Sequence, residues 1–162
     1  MKTTALSFGF FLFTGLAQAN LDCLDHGEKL SMNEDQVLEW KREGKNQFRG
    51  RAHVEGVVVQ DYGLQGDHVH FGVMILTSTK DQGTVEVIFN TDFGVLPPIV
   101  PGRVVEVCGD YITSNAPARG YPASPDKAII HWVHFSKRPV KHDSGYLVLD
   151  GQLYGDRIEK EF

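Results

Sequence analysis

The chain has 162 residues, with 16 basic and 21 acidic side chains and a formal net charge of −5. That length suits one domain with its own core. The negative balance argues against tight, general binding to nucleic acid while leaving local basic patches open, and no apolar run is long enough to cross a bilayer comfortably as a helix.

Residues 1–19, MKTTALSFGFFLFTGLAQA, read as a secretory signal peptide. A lysine stands near the start, an apolar run follows from Leu6 to Leu16, and Ala17-Gln18-Ala19 supplies the small-x-small cleavage site. Cleavage after Ala19 leaves 143 residues and removes one base and no acid, so the net charge moves from −5 to −6. Asp22, just before Cys23, is the wrong residue for lipidation. The expected location is therefore periplasmic or secreted, with no membrane insertion after cleavage. Both cysteines, Cys23 and Cys108, lie in the exported part, and there is no C-x-x-C pair. An even pair in an oxidising compartment predicts a disulfide that ties the N-terminal tail to the body of the domain.

The first regular element is a helix within LSMNEDQVLEWKREGKN, residues 30–46. Ser31 and Glu34 have capping-box spacing. Acids crowd the first turn, Lys41 and Arg42 the last, and Gly44 is the expected stop. Val37 and Trp40 lie one turn apart and mark the buried side.

After Phe48 the apolar period changes to two. In RAHVEGVVV, Ala52, Val54, Gly56 and Val58 share one face, opposite Arg51, His53 and Glu55. In HVHFGVMIL, Val69, Phe71, Val73 and Ile75 share a face, which places His68 and His70 together on the other. TVEVIF sets Val85, Val87 and Phe89 against Glu86, and RVVEVCGDY sets Val105 and Val107 against Glu106 and Cys108. A disulfide partner for Cys108 must then approach from outside. AIIHWVHF and YLVL follow, and Asp150-Gly151 marks a tight hairpin with type I′ chemistry. Residues 113–127, TSNAPARGYPASPDK, read as a long exposed loop between strands. Five or six short strands after one helix predict a mainly β protein folded as a small closed barrel.

Several pieces together resemble a family of small exported bacterial proteins classed only as a domain of unknown function. They are His68-x-x-Phe71, Asn90-x-Asp92, PGRVVEVCGDY, Ile130-His131-Trp132-x-His134, and His142-x-x-Gly145 followed by DGQLY. IHWVH is the most specific. The chain departs from the family pattern at Val69, Val133 and Tyr146 and in its longer loop at 113–127. The resemblance, from residue 53 onward, implies an OB-like barrel; the barrel domain is expected over residues 49–162, after the tail and helix over 20–48. It also implies a shortlist of ligand-binding positions: His68, Asn90, Asp92, His131, Trp132, His134 and His142. It brings no known reaction.

Imidazoles suit zinc, copper and nickel, and such ions need three or four converging ligands. His68 and His70 point the same way, whereas His131 and His134, three apart, point to opposite faces of a regular strand. They converge only across a bulge or at a strand end. A divalent metal is thus a secondary expectation, built from one of these histidines with His68, His142 or Asp143. No G-x-S-x-G or H-E-x-x-H motif is present, and His142-Asp143-Ser144 is too local for a triad. A metal-dependent hydrolase or nuclease would have to recruit Asp92, Glu86 and Arg51.

Ligand binding is the leading expectation. OB barrels take oligonucleotides or oligosaccharides on one face, and Trp132, Tyr111, Tyr121 and Tyr146 are candidate stacking surfaces. Lys137, Arg138, Lys141 and His142 add local positive charge. Against this, Trp132 between Ile130 and Val133 reads first as a core residue, and Asn90 and Asp92 read first as caps of the next turn. The sequence therefore points to an exported, non-catalytic binding protein whose ligand is a nucleic acid, a glycan or a protein.

Overall fold

A computed structural model of the protein describes residues 21–77, 79, 81–138 and 142–156. The expected signal peptide, and Lys141 of the basic turn, lie outside the described residues. The chain is mainly β. A short two-stranded ladder, β1 (Leu24–Asp25) and β2 (Glu28–Lys29), precedes helix α1 (Glu34–Glu43). The principal sheet then contains β3 (Arg49–Gln65), β4 (His68–Leu76), β5 (Gln82–Asn90), β6 (Val104–Thr113), β7 (Ala128–His131), β8 (Tyr146–Leu149) and β9 (Gln152–Tyr154).

The neighbour order is β3-β4-β5-β7-β6-β8-β9, and β3 also pairs with β6. Five strands therefore close a ring, in which β5 and β7 run parallel and the other pairs antiparallel. β8 and β9 extend the sheet beyond the ring from β6. There are more strands than expected. The sequence marks neither β1 nor β2, because two-residue ladders are too short to show a period.

The alternation holds where it was read. Val54, Val58, Phe71, Val73, Ile75, Val85, Val87, Phe89, Val105 and Val107 all point into the ring and are buried together with Ile130 and Leu147. Two register shifts, between Val58 and Gln60 and between Asp61 and Gly63, bend the long β3 around the ring. Asp150 and Gly151 both have positive φ, as a two-residue type I′ hairpin requires.

Helix α1 is capped differently from expectation. Asn33 occupies the cap position and makes no side-chain cap bond. Its amide instead donates to the Arg51 carbonyl and accepts from the His53 N–H, so it clips the helix start to β3. Glu34 accepts from the Glu55 N–H rather than closing a capping box. Gly44 ends the helix in extended geometry, where a Cβ would meet the Trp40 carbonyl oxygen at 2.3 Å.

Cys23 and Cys108 form a disulfide with Cα atoms 5.6 Å apart. The tail reaches Cys108 from outside the ring, on the side the alternation assigns. Around it the tail is fastened by buried Arg51, which donates to Asp110 at 2.6 Å and to the Leu24 and Ser144 carbonyls. His53 bridges the Leu30 carbonyl and Glu106, and the Tyr146 hydroxyl donates to Glu106 at 2.7 Å. Burial and that carboxylate hold the Tyr146 phenol well above its ordinary pKa.

Candidate functional site

The β4–β5–β7 flank of the ring carries the histidines. Because inward residues alternate with outward ones, His68 and His70 on β4, Glu86, Ile88 and Asn90 on β5, and His131 on β7 all face out. His70 pairs with Ile88 and His68 with Asn90. Glu86 pairs with Ile129 across the parallel seam, and continuing that register sets Ile88 beside His131. His70 and His131 thus flank a buried isoleucine, and His68 lies one step along. The His68 ring stands 5.4 Å from His131 and 6.4 Å from His70, centre to centre.

β7 ends at His131 because Trp132 takes φ 53°, in the left-handed region. A residue with a Cβ is disfavoured there by about 1–2 kcal/mol. The turn corrects two expectations. Val133, not Trp132, drops into the core. Trp132 is half-buried outside it, stacked on His131 at 4.6 Å, with the Arg49 guanidinium 5.5 Å from the indole. The premise of a regular strand also fails beyond His131, so His134 is not sent to the far side. It stacks on Phe93 at 3.8 Å and stands edge-on to His142 at 6.0 Å, while His142 lies 5.6 Å from Trp132. His70, His68, His131, Trp132, His142, His134 and Phe93 form one unbroken row of rings.

Three imidazoles, His70, His134 and His142, are hydrogen-bonded through Nδ1, and a fourth, His68, has its Nδ1 beside a carboxylate at ion-pair distance. His68 meets Asp67 at 2.6 Å and His70 meets Glu86 at 2.7 Å. His134 and His142 meet the Phe135 and Asp143 carbonyls at 2.9 and 3.1 Å. Carbonyls only accept, and so do ionised carboxylates, so Nδ1–H is the donor in the bonds of His70, His134 and His142, and in a neutral ring Nε2 carries the lone pair. His131 differs: its contacts among the described residues are rings rather than hydrogen bonds. Burial, reinforced by the neighbouring histidines, lowers its pKa to about 4. Burial also lowers that of His134, against the pull of its bond to Phe135.

The polar floor beside the histidines escapes pattern reading. Glu86 is 4% exposed although it faces outward, and its partner is His70. Tyr62 folds back over Gly72 to donate to Asp126 at 2.9 Å; a Cβ at Gly72 would stand 2.9 Å from that hydroxyl. Burial and the Asp126 bond push the Tyr62 pKa up to about 12. Alternation does mark Glu86 as outward-facing. Nothing in sequence marks Tyr62 or Asp126, since a β3 bulge and a long loop bring them together.

The remaining shortlisted positions divide. The Asn90 side chain accepts from the Asp92 N–H at 2.7 Å and caps a 3-10 turn over Thr91–Phe93, which puts Phe93 against His134. Asp92 is exposed on that turn. Arg51, the cation a nuclease reading would recruit, has its donors committed to the tail flank. Lys137 and Arg138 are exposed beyond His134. Among the described residues no three His, Cys, Asp or Glu side chains converge as they stand closely enough to hold a metal ion. Among the same residues, no helix is long and apolar enough to cross a membrane. No family model, curated protein or solved structure matches the chain.

Proposed function

We propose that the chain is an exported OB-like barrel that binds a glycan strand along the β4–β5–β7 flank without breaking it. The reading rests on one observation, the unbroken row of rings from His70 to Phe93. β4 and β5 are the second and third strands of the ring, and OB barrels carry oligonucleotides or oligosaccharides across those two strands. Half-buried rings held by their neighbours are preorganised platforms for the flat faces of sugars, and little side-chain freedom remains to be lost on binding. Asp67, Glu86 and Asp126 line the same flank. Their local charge, within a chain of net charge −5, disfavours a phosphate backbone and leaves a neutral glycan as the better fit. The buried disulfide is compatible with an oxidising compartment outside the cytoplasm.

Tryptophan fluorescence tests this reading. Neutral oligosaccharides should change the emission of the wild-type protein saturably, and Trp132→Ala, read by calorimetry because it removes the reporting indole, should weaken binding at least tenfold. Tighter binding of single-stranded DNA, weakening as salt rises, would replace the glycan with nucleic acid. A flat response to both ligands would sink the binding reading.

A further inference from the structure

We infer that His68, His70 and His131 form a binding site for a late divalent transition-metal ion, bound through their Nε2 atoms. Three features of the flank lead there. The first is the anchoring of His68 and His70. A histidine that ligates a metal through one nitrogen almost always donates its other N–H to a carboxylate or carbonyl, which fixes the ring and raises its basicity. Glu86 does this for His70, and the Phe135 and Asp143 carbonyls do it for His134 and His142 behind it, while the Asp67 carboxylate lies 2.6 Å from His68 Nδ1 as an ion-pair contact.

The second is spacing. A ligand nitrogen sits about 2.0–2.1 Å from the ion, which places the ring centres of two ligands of a tetrahedral ion about 5 Å apart. His68 and His131 stand at 5.4 Å and His68 and His70 at 6.4 Å. The first pair is already at ligand spacing. As they stand the three side chains do not converge closely enough to hold an ion, so binding requires His70 to turn toward the other two rings.

The third is the choice of donors. Imidazole nitrogens select zinc, copper or nickel over calcium and magnesium, which want oxygen ligands. The carboxylates that could serve a hard ion are taken up by the histidines. His131 is the one imidazole of the row whose contacts among the described residues are rings alone. Three histidines leave a fourth position for water or for a donor atom of a ligand.

This site shares the flank with the glycan reading and does not depend on it. The test is calorimetric titration of untagged, chelator-treated full chain with zinc, nickel and copper salts, without sugar present. One ion per chain should bind with a Kd below about 1 μM, equivalent to about 8 kcal/mol. His68→Ala and His131→Ala should each weaken binding at least 30-fold, and His53→Ala on the tail flank should leave it unchanged. Nitrogen-15 NMR of the wild-type protein gives a reading independent of variant folding: the Nε2 signals of His68, His70 and His131 should move together on adding zinc. Absence of 1:1 binding, equal binding by the His68 and His131 variants, or a response confined to His26, exposed on the β1–β2 turn, would overturn the inference.

Discussion

His53 and His68 both stand on the outside of the same ring, each beside a carboxylate, yet their surroundings differ. His53 has acceptors on both nitrogens, Leu30 on one side and Glu106 on the other, and the tail lies over it. Among the described residues His68 meets a carboxylate through Nδ1 alone, and its neighbouring rings are two more imidazoles. On the tail flank, histidine, arginine, tyrosine and carboxylate consume one another's hydrogen-bonding capacity, and the result is attachment. On the β4–β5–β7 flank the bonds of His70, His134 and His142 run through Nδ1 and leave Nε2 without a hydrogen-bond partner among the described residues, and the result is a surface with capacity to bind. The lesson is that residue type alone does not mark a site; unspent donor and acceptor capacity does.

Three perturbations would separate the flanks, the largest on the tail side. The disulfide joins positions 85 apart, and a loop of that size removes about 4–5 kcal/mol of unfolded-chain entropy. Replacing both cysteines by serine should lower unfolding stability by up to that amount in urea titrations while leaving the ring contacts of His68 and His131 unchanged. Loss of those contacts in NMR spectra would show that the flanks are coupled.

The next effect belongs to the histidine flank. With its folded pKa lowered from 6.5 to about 4, His131 contributes its full stability above pH 6.5, where both states are unprotonated. The contribution falls as pH drops from 6.5 toward 4 and then levels off, a total of about 3 kcal/mol. Urea unfolding with chelator present, compared between wild type and His131→Gln across that window, should show the wild-type slope flattened in the variant. Equal slopes would place the acid sensitivity elsewhere on the molecule.

The smallest effect concerns Trp132. Trp132→Gly and Trp132→Ala both lose the stacking on His131, but glycine is at ease at φ 53°. The glycine variant should be more stable than the alanine variant by about 1 kcal/mol, a reversal of the usual ranking. The usual ranking would mean that the left-handed turn is not retained once the indole is gone.

Much of this was legible in the sequence. A period of two put His68 and His70 on one outer face and Cys108 on another. Asp150-Gly151 announced its hairpin, and the spacing of Asn90 and Asp92 announced a cap. What escaped has physical reasons. IIHWVHF reads as one strand because nothing in a tryptophan signals a left-handed backbone, so the strand end at His131 was invisible, and with it the gathering of His134 and His142. Ser31 and Glu34 matched a local capping pattern, but Asn33 found better partners on β3. Tertiary bonds override local preference there, and only coordinates reveal them. The fold Tyr62 makes over Gly72 depends on two bulges in β3, which alternation cannot place.

The parallel seam between β5 and β7 has only two register pairs, Glu86 with Ile129 and Val87 with Ile130. It is the narrowest join in the ring, and the chain must travel the whole of β6 and the long loop before it can be made. Closure there is non-local and rests on the fewest pairs, so it is the easiest join of the ring to undo. His68 stands on one side of that seam and His131 on the other. Whatever bridges them acts as a clasp, so occupancy of the surface and integrity of the ring become linked quantities, each able to report on the other.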